Sequence, residues 1–461
     1  MSHKMILKSF IPLLTFTQAH QFPSQFFENA ARHRNQKLVK VLDKNQSIER
    51  YAGSNQNLQI LNSLNLIENV WNDGRDGFDV EISEYAWEAF REVARDLKLE
   101  LEVVAEDVEK LILESLPKVS HDSLQVVENS ITSAAAFNYS TYNTYEDIRT
   151  WMKDLASEHD FISIETVGET HQKRTVEAIK MSKNANAKKA VIFNTGIHAR
   201  EWIGPAHLIY IVKMILDEIE NSGPNNESEI ERFLKNMDIY IIPTSNADGY
   251  AFSWTDDRMW RRTRKDYGAD CVRPGTDIGV DPNRNFPVHW ADPGGASDNP
   301  CSDTYRGPTA ASEDCVQIQI DYVTKTIQNY EDVAYLDVHS YSQLFMYTYG
   351  YTEELPKNAD ILDQIARNVV SAITETYGTK FEYGNIADTI YVATGGSVDT
   401  MYDDLGISCT FAPELRDKGR YGFLLPDDQI PAVAEEMYNG YKVLFAYIEG
   451  GYCPKFMIEE K

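Results

Sequence analysis

The sequence is short of positive charge. Lys and Arg number 44 against 71 Asp and Glu in 461 residues, a formal net charge of −27. A surface of that sign repels nucleic-acid phosphates and anionic lipid, which argues against both as partners. The plain consequence of the acidity is solubility. Long apolar runs are also missing. No stretch reaches the roughly 18 apolar residues that a membrane span needs. Cysteine is scarce: Cys271, Cys301, Cys315, Cys409 and Cys453 are the five in the chain. None forms a Cys-x-x-Cys pair, which disfavours a cysteine-rich zinc site. No internal repeat is visible.

What is present is apolar content of 43% and length for two to three domains. A chain of this size builds its own core and does not need disulfides to replace one. Lys4 and Lys8 precede a short apolar run, Phe10 to Phe16, and Thr17-Gln18-Ala19 reads as the end of a signal peptide over 1–19. That implies the secretory pathway, with a secreted or vacuolar destination. Asn-x-Ser sequons stand at Asn45, Asn138 and Asn226, and Asn226 has the loop composition that best suits a glycan.

A first unit runs from about Gln21 to Leu116. Phe78–Ile82 and Leu99–Val103 alternate as half-buried strands. Each is followed by a helical pattern: Tyr85–Leu97 with Trp87, Phe90 and Ala94 on one face, and Asp107–Leu116 with Val108, Leu111 and Ile112 inward. This predicts a small α/β sandwich on an antiparallel sheet. Residues from Pro117 to Ala136 have linker composition and include Lys118, a candidate cleavage point.

A larger unit starts near Phe137. Thr144 caps a helix with Asp147 at the third helical position. Buried strands follow at Ala190–Phe193, Ile239–Ile242 and Val333–Val338, and helical patterns at Pro205–Ile219 and Ile430–Ile448. The alternation predicts an α/β domain with a mixed, mostly parallel central sheet and helices on both faces.

His198 and Glu201 stand three apart just after one buried strand, and His339 directly after another. Imidazole and carboxylate are good zinc donors, and three of them leave the fourth position of a catalytic zinc open. Strand ends of this kind are where open α/β sheets gather ligands. Alone, His-x-x-Glu is common in polar loops, and a lone histidine after a strand is more often structural.

The surrounding text decides between these readings. Thr195-Gly196-Ile197-His198-Ala199-Arg200-Glu201-Trp202-Ile203 resembles the zinc motif of the funnelin metallocarboxypeptidases, the pancreatic carboxypeptidase A/B family. Arg258–Arg264, Val280–Asn285, Asp337–Gln343 and Glu414–Pro426 match the same family in order. The resemblance spans about residues 137 to 450, and a fainter prodomain pattern surrounds Ala105–Val108. It implies a carboxypeptidase-like catalytic domain at 137–461, a prodomain at 20–118 and a linker at 119–136. It further implies one Zn2+ held by His198, Glu201 and His339, with Asp281 fixing the tautomer of His198. Glu414 would be the general base, taking a proton from the attacking water and passing it to the leaving amine. Arg261 would stabilise the oxyanion. Arg284, aided by Asn283 and Tyr391, would hold the free C-terminal carboxylate, and Arg200 would bind substrate further along the peptide.

The family likeness also places the pocket. Val398 stands where the basic-specific branch carries aspartate, so a hydrophobic or aromatic C-terminal residue is expected, between Ile386, Ile390, Gly350 and Ala412. Asp388, Asp403 or Asp404 would broaden that preference if one pointed inward. Two departures lie nearby: one extra residue in 403–406, and Pro413 before Glu414. Cys271 and Cys301 match a family disulfide. Cys409 is expected to be a free, inert thiol in a buried strand, with Cys315 and Cys453 a candidate pair. The partners implied are peptide C-termini and an activating endoprotease, and the family suggests a monomer. The rival reading is a non-catalytic binding protein on the same fold; the presence of Glu414 and Arg284 counts against it.

Overall fold

The computed structural model describes residues 24–42, 56–74, 77–117, 137–223, 226–268, 271 and 278–457. The signal segment at 1–19, Asn45, Lys118 and the linker at 119–136 lie outside the described residues. Among the described residues no helix is long and apolar enough to cross a membrane.

The first unit is built on an antiparallel sheet of four strands: β1 (Lys37–Leu42), β2 (Asn69–Gly74), β3 (Gly77–Ile82) and β4 (Glu100–Ala105), in the order β2-β3-β1-β4. β1 and β2 are additions to the two strands that periodicity predicts. Val39, Val41, Phe78, Val80 and Ile82 pack against Phe90 and Ala94 of the helix Trp87–Asp96. β3 differs from expectation. Its alternation predicts a half-buried strand, yet Asp79 and Glu81 are buried too, Asp79 against Tyr341 of the second unit and Glu81 against His33, Asn69 and Trp71 of the first. Tyr341 donates to Asp79 Oδ2 at 2.6 Å, and Glu81 pairs with His33 at 2.5 Å and accepts from Asn69 at 2.7 Å. A buried carboxylate is tolerated where partners of this kind replace water.

The second unit holds an eight-stranded sheet in the order β11-β10-β12-β9-β7-β8-β6-β5. Its strands are β5 (Ile162–Glu169), β6 (Thr175–Met181), β7 (Lys189–Thr195), β8 (Asp238–Ile242), β9 (Asp332–Ser340), β10 (Leu344–Tyr347), β11 (Glu382–Asn385) and β12 (Cys409–Leu415). β12, β9, β7 and β8 run parallel, and every residue of β8 and β9 is buried. Helices cover both faces, which is why these strands read as continuous apolar runs. The helix Tyr145–Glu158 opens with the capping box that Thr144 and Asp147 predict.

Pro413 sits inside β12. It has no N–H to give, and the pairing of β12 with β9 passes from Phe411↔Leu336 to Glu414↔His339 without Ala412 and Pro413. The Val338 carbonyl opposite accepts from Thr195 Oγ1 at 3.2 Å. The helix Ser397–Asp403 ends at the 403–406 loop. There Gly406, at φ 70°, takes the left-handed conformation and its N–H bonds the Tyr402 carbonyl.

Cys271 and Cys301 are bonded. The expectation for the remaining cysteines is overturned: Cys409 is bonded to Cys453, and Cys315 is the buried free thiol. The reason lies in the tail. After the last helix, Ile430–Glu449, the chain turns back so that Val333 N bonds the Cys453 carbonyl at 2.9 Å. Ala334, the next residue, is the register partner of Cys409. Closing a loop of this length is worth about 2–4 kcal/mol.

Candidate metal centre and substrate cleft

Parallel β7 and β9 bring their carboxyl ends side by side, with Thr195 opposite Val338. The loop after β7 carries His198 and Glu201; β9 carries His339. The loop is fixed by its backbone. Ser253 Oγ bonds the Ala199 carbonyl at 3.2 Å, Arg258 Nη1 bonds the Arg200 carbonyl at 2.8 Å, and Ala199 N bonds the Arg261 carbonyl at 3.1 Å. Arg258 is buried, stacks 3.7 Å over Trp202, and also holds the Phe423 carbonyl.

His198, Glu201 and His339 present ligand atoms that all lie within 4.8 Å of one another, and all three residues are buried. His198 Nδ1 is 2.7 Å from Glu201 Oε1, and His339 Nδ1 is 3.1 Å from Glu201 Oε2. Burial alone would raise the Glu201 carboxyl; the two imidazoles outweigh it and hold the group well below its ordinary range. The second nitrogen of His198 is 3.1 Å from Asp281 Oδ1. Asp281 Oδ2 accepts from Arg261 Nε and Nη2 at 3.1 and 2.8 Å. Burial also works against the Asp281 charge, but Arg261 and His198 keep that carboxyl well below normal.

Glu414 stands beside His339 on the neighbouring strand, as their register requires. Burial pushes its carboxyl up to about 8; His339 and Arg261 oppose the shift and Glu201 adds to it. Its Oε2 is buried without a hydrogen-bond partner. Arg284, also buried, donates to the Asn283 carbonyl at 2.8 Å and lies 5.7 Å from the Tyr391 ring, and its Nε has no partner. Unpaired buried groups of this kind are what a bound ion or ligand satisfies. Two imidazoles, one carboxylate and an unpartnered base beside them form a donor set suited to zinc with an open position.

Next to this centre is an apolar recess walled by Met346, Gly350, Ile386, Ile390, Val398 and Ala412, with His198, Asn283, Arg284, Tyr391 and Glu414 at its rim. Asp388, Asp403 and Asp404 are not among its described lining. Asp403 instead accepts from the hydroxyls of Tyr349 and Tyr351. Asp399, which sequence reading passes over, does line the recess. Both its oxygens are engaged, by Thr348 and by the backbone N–H groups of Gly350 and Tyr351.

Three comparisons bear on this arrangement. The zinc carboxypeptidase family profile matches residues 148–440. The chain belongs to the zinc carboxypeptidase family. It is 40% identical to carboxypeptidase B of Astacus astacus over 68% of this chain and 99% of that one. It is 38% identical to carboxypeptidase A1 of Sus scrofa over 73% and 76%. Among solved structures, thrombin activatable fibrinolysis inhibitor aligns with a TM-score of 0.74 and 28% identity over 90% of this chain and 99% of that one. As a metallocarboxypeptidase the chain hydrolyses C-terminal residues of peptides, and its metal is zinc. Relatives named A and B match it about equally, so overall identity does not choose the pocket.

Of the predicted site residues, Arg200, Glu201 and Arg261 line a larger cavity, Asn283, His339 and Val398 the recess, and His198, Arg284, Tyr391 and Glu414 both, with Asp281 behind His198. Asp337 is a residue that sequence reading missed: it is buried, with Oδ2 3.3 Å from His339 Nε2. The signal was available, since residues two apart on a strand share a face.

Proposed function

We propose that the chain is a secreted or vacuolar exopeptidase, made as an inactive precursor and active as a monomer, that releases hydrophobic or aromatic C-terminal residues. One observation carries the reading: the His198–Glu201–His339 cluster, the base Glu414 and the guanidinium of Arg284 meet at the mouth of one apolar recess. Arg284, with Asn283 and Tyr391, holds the free carboxylate of the substrate. The side chain of that same terminal residue enters the recess beside Val398. Held by His198, Glu201 and His339, zinc would supply Lewis acidity beside the scissile carbonyl and the attacking water. Glu414 takes the proton of the attacking water and delivers it to the leaving amine. Arg261, oriented by Asp281, faces the charge that develops on the carbonyl oxygen. The apolar preference rests on Val398 and on the engagement of both Asp399 oxygens, which leaves a buried ammonium or guanidinium without a partner.

The inactive precursor is supported by what the first unit touches. The Val70 carbonyl takes Arg200 Nη2 at 3.4 Å, Trp71 packs 5.7 Å from Phe423, and Asp79 holds Tyr341. Arg200 itself lies 4.1 Å over Phe423. None of these groups lines the recess, and they would meet upstream substrate residues. A cavity of about 910 Å³ stays open between β2 and the cleft and reaches Glu414, Arg284 and Tyr391.

The test is hydrolysis of a blocked dipeptide and a blocked pentapeptide, both ending in phenylalanine, by the uncut chain and by protein trimmed with a limiting endoprotease. Trimming is expected to raise kcat/KM for the pentapeptide by about tenfold more than for the dipeptide, the worth of one polar contact of roughly 1.4 kcal/mol. Equal response of the two substrates would remove the inhibitory role of the first unit.

A further inference from the structure

We propose that Asp337 is a positioning residue for the metal centre. It holds His339 in the tautomer that presents Nδ1 to the ion and, by claiming the Nε2 proton, leaves the Asn283 amide free for the substrate carboxylate. The proposal rests on the reading of His339 as a zinc ligand and of Asn283 as part of the carboxylate clamp.

Asp337 is wholly buried in the middle of the sheet, and three elements fix it. Its register partner on β7 is Asn194, whose Nδ2 donates to Oδ1 at 2.7 Å. Ser397, the first residue of the helix Ser397–Asp403, donates to Oδ2. His339 lies on the same face of β9, its Nε2 3.3 Å from Oδ2. A carboxylate taken fully out of water persists as a charge only with such partners.

The Nε2 atom of His339 has a second neighbour. Asn283 Nδ2 stands 3.1 Å away, and the orientation of that amide is fixed because its oxygen accepts from Ser397 N at 2.9 Å. A neutral imidazole whose Nδ1 is given to a metal must carry its hydrogen on Nε2. Two donors cannot bond each other, so the Nε2 hydrogen has one acceptor, Asp337, and the Asn283 amide hydrogens are left to the substrate. Asp281 stands behind His198 in the same relation, so each metal-facing imidazole is backed by a buried carboxylate. Carboxylates in this position orient the ring and raise its basicity toward the ion.

The experiment is zinc affinity by competition with a chromophoric chelator, on the full chain and on Asp337→Asn, Asp337→Ser and, as a control for the site, His339→Ala. Thermal unfolding of the metal-free proteins is measured alongside. Asp337→Asn keeps the size of the group and removes its charge. It is expected to weaken zinc binding by roughly 10- to 100-fold, with the metal-free proteins melting alike. Asp337→Ser, which places a small hydroxyl there, covers the case in which the amide does not fold. Zinc affinity within about twofold of the unsubstituted chain in a folded Asp337 variant overturns the proposal, whatever happens to the melting temperature, and leaves Asp337 a structural residue. Zinc retained by His339→Ala would instead overturn the ligand set on which the proposal stands.

Discussion

Replacing Glu414 by glutamine is expected to lower kcat for a blocked dipeptide by roughly 10²- to 10⁴-fold, the usual worth of a general base, while zinc stays at one per chain. The two halves of that expectation come from the same geometry. Glu414 stands beside His339 but is not one of the three residues whose donor atoms cluster. Burial pushes its carboxyl up to about 8, against the pull of His339 and Arg261. A divalent cation bound at the cluster would favour the charged carboxylate and so lower that value. The group is then a base near working pH, with an oxygen that has no other partner. Glutamine has the same shape and cannot carry the proton. Zinc analysis separates the outcomes: lost activity with zinc retained assigns the base, and lost activity with lost zinc makes Glu414 a metal residue.

The second large effect is expected at Val398. Val398→Asp should shift the ratio of arginine to phenylalanine release from paired blocked dipeptides by roughly 10²- to 10⁴-fold, the range that buried polar pairing gives to specificity. In the unsubstituted chain the recess offers an incoming cation the side chains of Met346, Ile386, Ile390, Val398 and Ala412. Asp399 is close, and a Cβ on Gly350 would sit 3.2 Å from its Oδ2. That carboxylate is already spent on Thr348 and two backbone N–H groups. A new carboxylate at 398 would have no such commitments. An unsubstituted chain that releases arginine faster than phenylalanine would refute the apolar pocket and make Asp399 the group to examine.

Much of the site was legible because its residues lie in contiguous motifs whose chemistry needs particular side chains. His198, Glu201, His339 and Glu414 fall at strand ends, where parallel β7, β9 and β12 converge. The buried strands and the capped helix at Tyr145–Glu158 were readable from periodicity and from Thr144 and Asp147. What was not legible depends on contacts between segments distant in the chain. The Cys409–Cys453 bond follows from the return of the tail beside β9. β2 carries too few apolar residues to read as a strand, and it forms by pairing with β3. Asp79 and Glu81 look like the wet side of a strand until Tyr341 of the second unit meets Asp79 and His33 and Trp71 of the first close on Glu81. Asp337 sits in a motif that was read for its histidine alone.

The most direct measurement compares two blocked dipeptides that differ only at the end, one with a free C-terminal carboxylate and one with that group amidated, with and without a zinc chelator. Trimmed protein is expected to cleave the free acid, to cleave the amide at least about 100-fold more slowly for want of the charged bond to Arg284, to stop when zinc is removed and to recover when it is returned. Equal cleavage of acid and amide, or cleavage that survives the chelator, would contradict a zinc exopeptidase working at this cleft.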